Sequence, residues 1–398
     1  MKYANQLQNL GTETAFAVSA QAKEWADKGN KVYPFHLGDI NLPTPENIVQ
    51  ATIKSINDGL TGYCPSEGIF PLREALAQDV GAKRGVNYEP DNVAIQPGGK
   101  PTIGKFISSI MDPGDEILYP NPGYPIYESQ IEYQGGRAVP YSFVQTDSGF
   151  DIDIQKLTDS ITDRTVALIY NNYQNPISAE SSKKEMEAVA KIAIEHDLWV
   201  LSDEAYFEIV YDGDASSIVS LPGMKERTVI LYTFSKKFAM TGWRVGGSIG
   251  PKEIIKRIAK LNVNAESCTT HFIQNAMVEA LNGDQSASKK ILNTLKDRRD
   301  ATVKGLNAIN GVNITAPRTT FYLFPNVTKI MERKGLHKIE DLQIGALRNA
   351  NVSFCTREHF GRAQADEHDY YIRLAYSGIS VEDINEGLVK LKDFFESQ

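Results

Sequence analysis

The sequence predicts an α/β protein whose large domain has a mostly parallel central sheet covered by helices, with a smaller α+β domain beside it. At 398 residues the chain is too long for one small core and fits a large domain plus a smaller one. Short apolar runs alternate with helical patterns through its middle, which is typical of parallel strands joined by helices. Towards the C-terminus this alternation gives way to a long helical stretch, strand-like segments and a closing helix.

The elements of the large domain follow one another in a regular order. Strands are predicted at Asn92–Gln96, Glu116–Pro120, Thr165–Tyr170, Leu198–Asp203, Val229–Phe234 and Val245–Gly250. Helices are predicted at Pro71–Arg84 and Lys183–Asp197, where apolar residues recur at spacings of three and four. In such sheets ligands bind at the carboxyl ends of the strands, where the loops begin.

The small domain is predicted from both ends of the chain. A helix at about Glu13–Lys28 is expected to pack on C-terminal elements, which are a helix at Ser286–Leu306, strands at Thr319–Val327 and Tyr370–Tyr376, and a final helix at Val381–Phe395. We therefore assign residues 49–285 to the large domain and residues 1–48 and 286–398 to the small one.

Composition excludes several classes of protein. A net charge of −8 and a pI near 5.4 argue against a general nucleic-acid surface. No apolar run approaches the roughly 18 to 20 residues of a membrane helix, and the N-terminus lacks the apolar core of a secretory signal. Three widely spaced cysteines and six histidines form neither a disulfide framework nor a metal motif. We expect a cytoplasmic protein without a metal site.

The segment Thr233–Gly247 carries the clearest chemistry. Lys236 stands among hydroxyls and small residues, eight positions before Arg244. A lysine near cations in a dry site has a lowered pKa and can form a Schiff base with an aldehyde. Thr233, Ser235 and Arg244 can bind a phosphate dianion. A solvated surface lysine is the alternative, but the apolar run before it and the glycines after it indicate a closely packed site.

This segment resembles the pyridoxal-phosphate signature of class I/II aminotransferases, [ST]-x-S-K-x-x-x-x-x-G-x-R-x-G. Every fixed position matches: Thr233, Ser235, Lys236, Gly242, Arg244 and Gly246. The resemblance covers roughly Lys31–Phe395, with eight motifs in the family's order. It implies fold type I of the pyridoxal-phosphate enzymes, similar to aspartate aminotransferase, and pyridoxal 5'-phosphate as the cofactor.

The resemblance also implies roles around the cofactor ring. Asp203 would pair with the ring nitrogen, Tyr206 and Asn175 would bond the ring oxygen, and Tyr124 would stack on the ring. Without the resemblance, an acid at a strand end caps the next helix and Asn-Pro is an ordinary turn. Pro176 favours a cis peptide that turns Asn175 inward.

Further roles follow for the phosphate and the substrate. The N–H groups of Gly98, Gly99 and Lys100, at a predicted helix start, would bind the phosphate. Tyr63 would reach the phosphate of a partner subunit, which implies a homodimer with shared active sites. Gly38 and Arg373 would bind the substrate's α-carboxylate.

The resemblance implies an aminotransferase that moves an amino group from an L-amino acid to a 2-oxo acid by a ping-pong mechanism through a Lys236 Schiff base. A lyase, cyclase or oxidase on the same scaffold is the first alternative, because fold and cofactor do not determine the reaction. A non-catalytic transcription regulator is the second, disfavoured by the acidic charge and the lack of a segment for DNA binding.

The substrate stays open because the chain departs from the family around the pocket. The departures are Ile40-Asn41, Ile177-Ser178, Thr319-Thr320 and a charged loop at residues 360–371. Lys100, Lys105 and Arg362 are candidates to bind a distal carboxylate, whereas Glu13 would favour a basic or polar substrate.

Overall fold

The computed structural model describes residues 1–11, 13–147 and 149–397. Its α-helices are α1 Ala15–Asp27, α2 Glu46–Asn57, α3 Phe70–Arg84, α4 Lys100–Ile110, α5 Ile126–Tyr133, α6 Ile154–Asp159, α7 Lys183–Glu195, α8 Lys252–Ala265, α9 His271–Asn282, α10 Ser286–Asn307, α11 Thr328–Lys334, α12 Ile339–Ala350 and α13 Val381–Glu396. Its strands are β1 Tyr33–Pro34, β2 Val93–Gln96, β3 Glu116–Pro120, β4 Arg137–Tyr141, β5 Phe143–Thr146, β6 Gly149–Ile152, β7 Thr165–Tyr170, β8 Trp199–Asp203, β9 Thr228–Thr233, β10 Gly246–Ile249, β11 Tyr322–Leu323, β12 Val352–Ser353, β13 Cys355–Thr356 and β14 Ile372–Ala375.

The central sheet has seven strands in the order β2-β10-β9-β8-β7-β3-β4, counted over the described residues. All neighbouring pairs are parallel except those of β10, which runs antiparallel to β2 and β9. The carboxyl ends of β2, β3, β7, β8 and β9 therefore meet at one edge of the sheet. The predicted α/β architecture is confirmed, and each of the six predicted strands is present with its ends shifted by at most one residue.

Helices cover both faces of this sheet. In β9, Val229 and Leu231 pack with residues of α4 and α8, whereas Ile230 and Tyr232 pack on the other face with residues of α3 and α9. Because both faces are buried, the strand is apolar at nearly every position instead of alternating with polar residues.

The sequence patterns did not predict the edge strand β4 or the β5–β6 hairpin. β4 contains Pro140 and is mostly half-exposed, so it lacks the continuous apolar pattern of a buried strand. The hairpin carries the exposed residues Val144, Gln145 and Asp151. Edge strands are weakly encoded because only part of their surface enters the core.

The C-terminal part forms a separate layer. β11, β14 and β13 form an antiparallel sheet, and β1 pairs in parallel with β12. The long strand expected at Thr319–Val327 is wrong in extent, since only Tyr322–Leu323 are in a strand and Thr320 has a positive φ of 61°. Helix α1 packs on this layer, and Trp25 Nε1 donates to Asn351 Oδ1 at 2.7 Å. The domain boundaries at residues 48/49 and 285/286 stay a prediction.

Candidate active site

A cleft of about 620 Å³ opens at the carboxyl edge of the central sheet, beside the C-terminal layer. Twelve of the predicted site residues line it, namely Gly38, Gly99, Lys100, Tyr124, Asn175, Asp203, Tyr206, Thr233, Ser235, Lys236, Arg244 and Arg373. A larger cavity of about 1070 Å³, between the β5–β6 hairpin and residues 311–332, has none of these residues in the described part of its wall. The residues with the predicted chemistry therefore share the smaller cleft.

Lys236 follows the end of β9 in a tight turn and points into the cleft. Its Nζ donates a hydrogen bond to the carbonyl oxygen of Gly38 at 2.9 Å. Burial lowers the pKa of Lys236 from 10.5 to about 8, and the cations Arg373 and Arg244 act in the same direction while Asp39 opposes them. The amine is therefore far easier to deprotonate near neutral pH than an ordinary lysine.

Asp203 ends β8 and is buried. Its Oδ2 accepts a hydrogen bond from the hydroxyl of Tyr127 at 2.6 Å, and its Oδ1 accepts one from the backbone N–H of Ala205 at 3.1 Å. Burial raises the pKa of Asp203, and these two hydrogen bonds oppose that rise by stabilising the carboxylate. A buried carboxylate at the floor of a cleft suits a protonated ring nitrogen as its partner.

Arg373, in β14, is buried and held by three acceptors, of which Cys355 Sγ, 3.8 Å from Nη2, is the most distant. Nη1 donates to Asn175 Oδ1 at 2.9 Å, and Nη2 donates to the carbonyl oxygen of His36 at 2.7 Å. Its Nε is buried and has no partner among the described residues. The guanidinium is thus fixed in the cleft wall with donor capacity to spare for a carboxylate. The Asn175–Pro176 peptide is cis, which confirms the isomer expected from the sequence.

Gly38 lies against a pair of tyrosines. The hydroxyls of Tyr206 and Tyr322 are 2.6 Å apart. A β-carbon at residue 38 would lie 2.1 Å from the Tyr322 hydroxyl oxygen, so only glycine fits this backbone approach. The backbone of residue 38 is therefore held close to the amine of Lys236 and the hydroxyl of Tyr322.

The opposite end of the cleft gathers donors for an anion. Helix α4 begins at Lys100, directly after Gly98 and Gly99, and the first N–H groups of a helix have no intrahelical acceptor. A β-carbon on Gly98 would lie 2.0 Å from Arg244 Nη2, which shows how closely the guanidinium covers this turn. Thr233 Oγ1 donates to Ser235 Oγ at 2.8 Å beside it. The N–H of Gly98 already donates to the carbonyl oxygen of Gln96 at 2.8 Å. The N–H groups of Gly99 and Lys100, the two hydroxyls and the guanidinium remain, and together they suit a phosphate.

The chain matches the family description "Aminotransferase class I and II" over residues 31–391. It belongs to this family. It is 32% identical to a probable aspartate/prephenate aminotransferase of Aquifex aeolicus over 99% of this chain and 98% of that protein. Among solved structures it is similar to the aspartate aminotransferase from Thermus thermophilus with maleate (TM-score 0.90, 29% identity, 99% and 100% coverage). It is also similar to the aromatic aminotransferase from Pyrococcus horikoshii (TM-score 0.85, 30% identity, 94% and 98% coverage).

Family membership confirms the predicted aminotransferase and the fold type I architecture. It also favours amino-group transfer over the lyase, cyclase and oxidase alternatives. Two predicted residues lie outside the cleft wall of this aminotransferase. Gly98 stands directly behind Arg244, whereas the side chain of Tyr63 is on the surface, 89% exposed in the single chain.

Sequence reasoning missed Tyr127 and Tyr322. Tyr127 is three residues after Tyr124, so a helix beginning there would carry both side chains on one face. That spacing is the signal that could have identified it. Tyr322 sits in a two-residue strand whose side-chain directions no periodicity reveals.

The three cations considered as partners of a distal carboxylate differ in whether they line the cleft. Lys105 pairs with Glu266, and Arg362 pairs with Glu128 and Glu132, and neither cation lines the cleft. Lys100 does line it.

Proposed function

We propose that this aminotransferase binds pyridoxal 5'-phosphate in the cleft and uses Lys236 as its catalytic amine. The support is the convergence of three groups from distant parts of the chain on one cleft: the Lys236 amine, the buried Asp203 carboxylate and the Arg373 guanidinium. The donor set also fits the cofactor's phosphate, because a side chain at Gly98 would occupy the place of Arg244.

Each remaining predicted residue has a role in this proposal. Asn175 and Tyr206 bond the ring oxygen, Tyr124 stacks on the ring, and Gly38 contacts the substrate carboxylate that Arg373 binds. Phosphate donors are the N–H groups of Gly99 and Lys100 with Thr233, Ser235 and Arg244, joined by Tyr63 of the other subunit in a homodimer. Gly98, whose N–H donates to the carbonyl oxygen of Gln96, instead leaves room for Arg244. The exposure of Tyr63 in the single chain supports that last role.

When bound, pyridoxal phosphate supplies a cationic aromatic ring that withdraws electron density from the substrate's α carbon. Asp203 would pair with the protonated ring nitrogen, and its hydrogen bonds from Tyr127 and Ala205 stabilise its ionised form. Arg373 orients the amino acid through its carboxylate. The neutral Nζ of Lys236 takes the α proton and later returns it, which its lowered pKa permits.

The amino donor is an L-amino acid and the acceptor is a 2-oxo acid, used in alternating half-reactions. The similar proteins carry names that specify different substrates, namely aspartate, aspartate or prephenate, and aromatic amino acids, so the choice depends on this chain's own residues. All three cysteines, which lie in the described residues, are free thiols, and this supports a cytoplasmic location. Over the part of the chain that the structure describes, no helix combines the length and apolar character needed to cross a bilayer.

A matched pair of variants tests the assignment. Lys236→Arg keeps the charge but replaces the amine with a guanidinium that does not deprotonate near neutral pH. Lys237→Arg makes the same change one residue along, at a lysine that pairs with Glu208 instead of lining the cleft. We expect the first variant to lose amino transfer and the second to keep it. Transfer by Lys236→Arg at the unmodified rate would refute the proposal, and pyruvate or ammonia released from the donor without any oxo acid would favour a lyase.

A further inference from the structure

One carboxylate in the cleft has no part in the proposed cofactor binding. Glu13 stands two residues before α1, and its side chain reaches across to the large domain. Its Oε1 accepts a hydrogen bond from the Tyr124 hydroxyl at 2.6 Å and also pairs with the ammonium of Lys100. The side chain of Glu13 is only 20% exposed, so this carboxylate is a fixed part of the cleft wall.

The cations of the cleft can be assigned one by one. Among the described residues that line it, the basic side chains are Lys100, Lys236, Arg244, His359 and Arg373. Three of them act on the phosphate, the aldehyde and the α-carboxylate in the proposed function. Burial lowers the pKa of His359, so its imidazole is neutral at pH 7. Lys100 is then the one basic group of this described wall available to a second substrate carboxylate, and Glu13 already neutralises it.

A second carboxylate in the cleft also disfavours a substrate with a negatively charged side chain. Asp39 also lines the cleft, where its Oδ1 accepts a hydrogen bond from Thr241 Oγ1 at 2.7 Å. A substrate with a carboxylate in its side chain would meet Asp39, and the described residues of this wall offer it no unpaired cation. Apolar side chains of Phe16, Leu37 and Phe360 line the same cleft, and they suit an uncharged group.

We propose that Glu13 sets the substrate class of this enzyme by excluding dicarboxylic amino acids, so that its preferred donors are monocarboxylic amino acids with apolar or aromatic side chains. This inference rests on the proposed function, because it takes Arg373 as the site of the α-carboxylate. Glu13 acts by occupying Lys100, which removes the ammonium that could pair with a side-chain carboxylate. Because its own charge is paired with Lys100, Glu13 does not favour the basic or polar substrate that the sequence suggested.

Donor half-reactions test the proposal without the choice of an acceptor. The holoenzyme is mixed with leucine, phenylalanine, aspartate or glutamate, and the absorbance change of the cofactor gives kcat/KM for each. We expect leucine or phenylalanine to exceed aspartate by about tenfold or more. Glu13→Gln keeps the size of the side chain and should raise kcat/KM for aspartate and glutamate about tenfold, with little change for leucine.

Two further variants test what causes the gain in kcat/KM for aspartate and glutamate. Glu13→Gln combined with Lys100→Gln should lose it, because the freed ammonium is its cause, while the backbone N–H of residue 100 is kept. Glu24→Gln removes another lysine-paired glutamate, at the exposed far end of α1, and should leave the donor preference unchanged. A wild-type preference for aspartate or glutamate overturns the inference, as does a donor ratio that Glu13→Gln does not alter.

A binding measurement separates this inference from the proposed function. Calorimetric titration of the same protein with succinate and with 4-methylpentanoate, neither of which has an amino group to transfer, reports the charge preference alone. We expect Glu13→Gln to tighten succinate binding about tenfold and to leave 4-methylpentanoate unchanged. Failure of amino transfer with every donor would refute the proposed function, whereas equal succinate affinity in both proteins would refute only the role of Glu13.

Discussion

Replacing Gly98 with alanine tests how the chain holds Arg244 over the start of α4. Gly98 has a φ of 99°, a conformation that costs an alanine about 1–3 kcal/mol. The new β-carbon would lie 2.0 Å from Arg244 Nη2. Since carbon–nitrogen contacts need about 3.5 Å, the guanidinium must move by roughly 1.5 Å. That movement would disturb the hydrogen bond from Arg244 Nη1 to the carbonyl oxygen of Thr241, now 2.7 Å.

We expect Gly98→Ala to lower both the stability of the protein and its affinity for the cofactor, and the two losses can be measured separately. The backbone strain should lower the free energy of unfolding by about 1–3 kcal/mol. A displaced Arg244 would lose a charge-assisted bond to the phosphate worth about 1.5–3 kcal/mol, so pyridoxal phosphate should bind the apo-enzyme about tenfold to a hundredfold more weakly. Urea unfolding measures the first part, and absorbance titration of the apo-enzyme with pyridoxal phosphate measures the second.

Gly85→Ala is the matched control. Gly85 also has a positive φ, 65°, but a β-carbon there would meet no described atom within 4 Å. This variant should lose about 1–2 kcal/mol of stability and keep the cofactor affinity of the wild type. If Gly98→Ala also keeps that affinity, the position of Arg244 does not depend on the missing side chain and the reasoning is refuted.

Three other predictions follow from the same cleft. Tyr127→Phe removes the 2.6 Å hydrogen bond to Asp203, so the pKa of Asp203 should rise further and kcat should fall about tenfold; an unchanged kcat would contradict this role. Lys236 has its pKa lowered to about 8 in the folded chain and keeps about 10.5 when unfolded, so the unfolded state binds more protons between these values. The unfolding free energy of apo-enzyme relative to Lys236→Met should therefore rise from pH 8 to 10.5 in urea titrations, and a flat difference would show an ordinary pKa. Mixing Tyr63→Ala with Lys236→Ala should restore activity in hybrid dimers, since one site then has both residues intact; no gain over either variant would exclude a shared site.

Much of the fold could be predicted from the sequence because buried parallel strands consist of continuous apolar runs. β3 and β7 match their predicted ranges, and both are interior strands of the sheet. The half-exposed edge strand β4 and the short C-terminal strands are harder to predict, because they lack such runs. Thr320 turns the chain where the apolar pattern predicted a strand. Its contacts are distant in sequence, since its N–H donates to the carbonyl oxygen of Ile209 and its hydroxyl bonds that of Ser178, and no periodicity predicts them.

The sequence by itself determined the fold class and the chemistry of the segment around Lys236, because the alternation of strands and helices along the chain and a local motif both depend on residues near one another in the chain. Only the tertiary structure decided which groups face each other across the cleft. Lys236 meets the carbonyl of Gly38 across 198 positions of sequence, and Arg373 meets Asn175 across the same separation. Glu13 reaches Lys100 across 87 positions, a pairing between an N-terminal segment and the start of α4. Local patterns do not encode such contacts, since these depend on how the C-terminal layer and the N-terminal segment pack against the sheet.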